Sequence, residues 1–201
     1  MTAVAEGARD PERVALKEWA VLVNAMARGE LIAMIRKGGI REHRASFDVR
    51  HARFLLYPTF FHEKLNELAQ RFHPTLGAAH ATRPPHEMIE LRCVARVAAV
   101  WQVAELERLR AIEAEHGLTW GAVESRFNYR GDPRVHVVAV RIATLPSVVT
   151  LPEVRRYTGC VSWVKLDDDI DVAGAVPVID EPSFDARLRA LEHSLGERAP
   201  I

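Results

Sequence analysis

The side chains best placed for chemistry lie between residues 36 and 63. An apolar run, Leu31 to Ile35, ends in Arg36-Lys37-Gly38-Gly39. Two cations beside a flexible backbone, whose N–H groups can approach a ligand closely, are a common way to hold phosphate or carboxylate. The order of residues is not that of a P-loop, which needs Gly-Lys-Ser/Thr after its glycines. Arg36 and Lys37 are the expected anion contacts, with Gly38 and Gly39 at the rim and Arg53 in support. Tyr57 and His62 are expected to line the pocket. Cations converging on one point repel unless an anion or a carboxylate lies between them. Glu18 or Glu42 could be that carboxylate, and the cluster would then be a structural ion-pair network. A second group, Arg126, Tyr129, Arg130 and Arg134, interleaves cations with an aromatic ring, a composition suited to stacking plus phosphate contacts.

Six of the nine histidines fall between His43 and His86, yet none forms the helical pair with an intervening Glu that marks zinc proteases. No metal and no cofactor is expected. His51 or His62 could serve as general base in a phosphoester or amide hydrolase. His62 and Glu63 are adjacent, and neighbours on a helix point apart, which disfavours a direct dyad. Neither a Gly-x-Ser-x-Gly elbow nor a dinucleotide-binding glycine fingerprint is present. Lys165 to Asp169 reads as an acidic turn.

Charge sets limits on partners. Lys plus Arg and Asp plus Glu number 27 each, so no global basic field coats the molecule, although a local patch is allowed. Cys93 and Cys160 lack zinc spacing and sit among apolar residues as reduced core thiols. No apolar run is long enough to span a bilayer, and the polar N-terminus is unlike a secretory signal. The cytoplasm is the expected compartment, with a nucleotide or nucleic acid as the expected partner and no membrane.

The elements that must position these residues follow from periodicity. Residues 1–10 read as a disordered tail and 11–198 as one domain, with a division into two lobes conceivable at 73–86. Asp10-Pro11-Glu12 has the form of a helix start, and Leu16, Trp19, Ala20, Val23 and Ala27 recur at helical spacing up to Gly29. Trp19, Val21, Val23 and Ala25 also alternate, as a strand would. Phe54–Tyr57 reads as a strand, followed by a helix with Phe61, Leu65, Leu68 and Phe72 on one face and an exposed loop over 73–86. Ile89–Val97 alternates as a one-sided strand, then a helix forms around Leu106, Leu109 and Ile112. Thr119 caps a short helix, and Val135–Ile142 is a central strand. Val161–Val164 and Val176–Ile179 are shorter strands, and Pro182–Leu195 is an amphipathic helix. The strands and helices do not strictly alternate. An α+β fold follows, with a mixed or antiparallel sheet and flanking helices. Trp19, Leu91, Val97, Leu106, Leu109, Val138, Val140 and Trp163 are the expected core.

Several stretches resemble a bacterial family known only as domain of unknown function 1802 (DUF1802). They are ALKEWAV at 15–21, RKGGIRE at 36–42, RFLLYPTFFHE at 53–63, ESRFNYRGD at 124–132 and GCVSWVKL at 159–166. The family pattern has Gln where this chain has Glu63. Some relatives are joined to restriction-endonuclease-like domains, which implies a link to DNA handling or defence, with this chain as the companion module. Gly29 to Arg36 also resembles the start of PUA-like and ASCH domains, which implies a β-barrel-like fold that binds RNA or modified bases. The readings that follow are a binding module for a phosphate-bearing ligand, a hydrolase with a histidine base, or an interaction scaffold without a deep pocket near Arg36.

Overall fold

In the computed structural model, residues 11–37, 51–61, 63–159 and 161–199 are described. The expectations for Gly38, Gly39, Glu42, His62, Cys160 and the first ten residues fall outside them.

Strand β3 (Arg53–Thr59) shows why the sheet has two covered faces. Phe54 and Leu56 enter one apolar cluster, while Leu55 and Tyr57 enter another. Strand β1 (Pro11–Trp19) divides in the same way, with Leu16 on the first side and Ala15 on the second. Burial on both faces removes the one-sided alternation that identifies a strand by eye. The helix expected from residue 11 is therefore a strand up to Trp19, and only α1 (Ala20–Ala27) is helical. Gly29 follows it at φ 73°, a left-handed backbone that glycine adopts without penalty.

The remaining strands are β2 (Ala33–Arg36), β4 (Met88–Val103), β5 (Val135–Pro152), β6 (Trp163–Asp171) and β7 (Val176–Pro177). Their order is β2-β5-β4-β3-β1-β6, with β7 also pairing β5. β1 and β3 are parallel and every other ladder is antiparallel, so the sheet is mixed. Helices α1, α3 (Trp120–Phe127) and α4 (Glu181–Leu195) bury their apolar residues in the larger cluster. Thr119 caps α3 by accepting from the Ala122 N–H, and Asp180 caps α4 by accepting from Ser183.

β4 and β5 are longer than their periodicity suggests, because bulges reset their phase. Ile89 and Leu91 enter the smaller cluster, but after an irregularity between Leu91 and Cys93 the next odd-numbered residues, Cys93, Ala95 and Val97, face the larger one. Other expectations need correction. Residues 65–72 form two 3-10 turns and no amphipathic helix; Leu68 and Phe72 are buried, while Phe61 and Leu65 are exposed. The 73–86 segment is not all loop, since α2 (His73–Ala81) starts with Pro74 in its first turn. The helix expected around Leu106 is a 3-10 segment, Leu106–Glu115. Asp167, Asp168 and Asp169 lie within β6, not in a turn. Leu91, Val97, Leu109, Val138 and Val140 are buried, whereas Trp19, Leu106 and Trp163 are partly buried against the core.

Gly117 shows how tightly the larger cluster is filled. A Cβ there would overlap Leu22 Cδ2 and press on Leu31 at 3.3 Å and Phe72 at 3.4 Å. All three neighbours are buried. Gly117→Ala is expected to cost about 1–3 kcal/mol through overpacking. A urea midpoint equal to that of the parent protein would show that the cluster relaxes freely.

The sheet curls but stays open. Three strands separate β2 from β1 in the order, yet Arg36 at the end of β2 donates to the Lys17 carbonyl at 3.2 Å and to Glu18 at 3.1 Å, at the end of β1. That approach closes one side of a cleft.

Candidate functional site

The cleft has a volume of about 990 Å³, at the upper end of the range for ligand pockets. The ends of β1, β2 and β3 meet there with the start of β4 and the segment after α3. Its cations are Lys17, Arg36, Lys37, Arg83, Arg126 and Arg155; its carboxylates are Glu18, Glu87, Glu90 and Glu153. Trp19, Phe60, Phe61 and Tyr129 supply rings.

Glu18 anchors the floor. It is buried, and its carboxylate accepts from the Trp19 N–H at 2.9 Å and from Arg36 at 3.1 Å. Arg126 donates to the Ile35 carbonyl at 3.3 Å, and its guanidinium lies 5.4 Å from the Trp19 ring centroid. Burial pulls the Arg126 pKa below the ordinary arginine range; Glu18 opposes that shift and Arg36 adds to it. Of the two carboxylates expected beside Arg36, Glu18 pairs with it, while Glu42 lies outside the described residues.

Lys37 has a different role from Arg36. Its ammonium donates to the carbonyls of Phe127, Asp132 and Arg134, which accounts for its three protons. Burial lowers its pKa, and Arg134 adds to this while Asp132 opposes it. Lys37 is thus a strut for the segment that carries Tyr129. Within that segment Arg130 has φ 61°, a left-handed conformation rare outside glycine; Glu87, which lines the cleft, has φ 66°. Arg134 itself pairs with Asp132.

The other expected site residues are spread out. Tyr57 is buried beneath the cleft and donates its hydroxyl to Glu153, with the Lys17 ammonium 5.4 Å from its ring centroid. Burial, reinforced by Glu153, raises its pKa well above the usual phenol range. Arg53 stands at the opposite end of β3, where it pairs with Glu12 at 3.1 Å. His51 packs edge-on against Trp163, with ring centroids 5.1 Å apart. Arg36, Lys37, Arg126, Tyr129 and Glu18 therefore share the cleft, while Arg53 and His51 lie elsewhere. Glu63 accepts from the Val21 N–H at the start of α1 and meets His80 Nε2 at 2.6 Å, a pairing that sequence adjacency to His62 concealed.

Sequence reasoning missed Lys17, Phe60, Phe61, Arg83 and Arg155. Phe61, expected on a helix face, is 61% exposed with the Arg83 guanidinium 5.1 Å from its ring centroid. Adjacent phenylalanines with no helix to bury them were the available signal. Among the described residues no group of His, Cys, Asp and Glu could hold a metal ion, and no helix is long and apolar enough to cross a membrane.

A family model described as domain of unknown function (DUF1802) matches residues 15–190. A search of curated proteins gives no match. Among solved structures the chain is similar to an ASCH protein from Zymomonas mobilis, at TM-score 0.39 and 14% identity, over 64% of this chain and 66% of that one. A serine-to-alanine variant of ZmASCH from the same organism matches at TM-score 0.39 and 14% identity, over 90% of this chain and 99% of that one.

Proposed function

The chain belongs to the DUF1802 family, and on that footing we propose that its cleft binds a phosphate-bearing ligand with a planar ring, a nucleotide or a nucleic acid strand. The observation that carries this reading is the pairing of guanidinium with aromatic ring on two walls of one cleft: Arg126 with Trp19, and Arg83 with Phe60 and Phe61. Rings and guanidinium planes offer stacking surfaces for a base, and cations hold its phosphates. The five stretches that carry the family resemblance also meet here, contributing Lys17 to Trp19, Arg36 and Lys37, Pro58 to Phe61, Arg126 and Tyr129, and Gly159 and Ser162.

Arg155 is the cleanest probe of the phosphate contact. It lines the cleft, is exposed, and makes no side-chain hydrogen bond or ion pair among the described residues. Arg155→Glu is expected to leave the melting temperature unchanged and to weaken AMP binding by roughly tenfold, about one charge-assisted hydrogen bond. Added salt should weaken binding in the parent protein in the same direction. Calorimetry that detects neither AMP nor a short adenylate strand at millimolar concentration would refute the reading.

A further inference from the structure

Two separate stacking platforms face one cleft. One is formed by Phe60 and Phe61 with the Arg83 guanidinium between them, 5.3 and 5.1 Å from the two ring centroids. The other is formed by Trp19 under Arg126, with Tyr129 lining the same cleft from the strutted segment. β1 and β3 place them: Trp19 stands opposite Thr59 in the parallel ladder, and Phe60 follows Thr59. Neighbouring strands are about 5 Å apart, so the backbones that carry the two platforms are adjacent.

A mononucleotide has one base and can occupy one platform. Two platforms with cations on the same walls match a chain of nucleotides, in which each base brings its own phosphate. We infer that the occupant is a single-stranded nucleic acid segment of at least two nucleotides, with successive bases on the Phe60–Phe61 and Trp19–Tyr129 platforms. This rests on the phosphate-and-ring reading of the cleft and narrows it from nucleotide to strand. A duplex does not fit the arrangement, because its bases are already stacked and their faces are hidden.

Phe61 and Tyr129 allow each platform to be weakened without opening the core, since they are 61% and 42% exposed. The experiment measures binding of AMP, the RNA strand rA8, the DNA strand dA8, an eight-base-pair duplex and a hexaglutamate peptide to the full chain. It does so for the parent protein, Phe61→Ala and Tyr129→Ala, with the melting temperature of each variant as a check on folding. Single strands should bind at least tenfold more tightly than AMP, the duplex and the peptide. Each variant should lower rA8 affinity roughly 5–150-fold, the loss typical of one stacked base, while AMP still binds on the remaining platform. AMP binding as tightly as rA8, the duplex matching the single strand, or only one of the two variants affecting rA8 would overturn the inference and leave the nucleotide reading standing. Hexaglutamate matching rA8 would overturn both, as would the absence of any nucleotide binding.

Discussion

Replacing Glu18 with alanine is expected to destabilise the fold by roughly 3–5 kcal/mol, the usual cost of removing one partner from a buried ion pair. The carboxylate is 7% exposed and faces Arg36 directly, with Arg126 close enough to feel its charge. Without it two guanidiniums would repel each other at the base of the cleft, and the Trp19 N–H would lose its acceptor. Glu18→Gln keeps the shape and an acceptor but removes the charge, so a smaller loss is expected. Urea unfolding of both variants measures the difference. An added phosphate-bearing ligand should restore part of the loss in Glu18→Ala, since an anion can take the place of the carboxylate and stabilises only the folded state. A loss below about 1 kcal/mol in Glu18→Ala would mean that water already screens the two cations.

The second large effect concerns His116, a residue remote from any sequence motif. It is 2% exposed; Nδ1 accepts from the Leu118 N–H at 3.2 Å, and no hydrogen bond closes on Nε2 among the described residues. Nδ1 acts as acceptor, so the ring is neutral with its proton on Nε2. Burial first, and then the positive charges of Arg71 and Arg126, lower its pKa from 6.5 to about 4, with the Leu109 backbone offsetting part of the fall. Above pH 6.5 both folded and unfolded chains hold the ring neutral, and it contributes no pH dependence. As pH falls from 6.5 towards 4, the unfolded chain takes up a proton that the folded chain refuses. Stability is therefore lost across that window, by roughly 3 kcal/mol in all, and the loss levels off below it. Unfolding midpoints at pH 7.0 and 4.5 should converge in His116→Gln relative to the parent protein. Equal pH dependence in the two proteins would show that His116 protonates freely in the fold.

The sequence was most readable where one face of an element meets the core and the other meets water. The last helix is of this kind, with Phe184 and Leu191 inside and Asp180 capping the start. The short helix after Thr119 is another. β1 misled because Ala15 and Leu16 are buried on opposite faces, and helical spacing arose by coincidence. Alternation identifies β4 as a strand but not which face each residue takes beyond Leu91, because a bulge leaves no mark in composition. For the site, Arg36, Arg126 and Tyr129 were visible as charge beside flexible or aromatic neighbours. Lys17, Arg83 and Arg155 were not, because none stands beside glycines or in the cation-and-aromatic cluster, and each joins the cleft only when distant parts of the chain meet. Lys37 looked like a ligand contact because a sequence cannot show the three carbonyls that surround it.

The aspartates of β6 bear on how copies of the chain behave towards one another. β6 is an outer strand whose free side has no partner strand among the described residues, and such a border invites pairing with a second molecule. A formal net charge of zero gives the molecule no overall repulsion to prevent this. Asp167, Asp168, Asp169 and Asp171 concentrate acid along that one strand, and all four are exposed. Arg156 pairs with Asp167 and Arg13 lies 3.5 Å from Asp169, so a second copy adding at this border would have to dehydrate ion pairs as well as carboxylates. The strand thus carries its own barrier to fibrous association, a task that bulk charge performs in more acidic or more basic proteins.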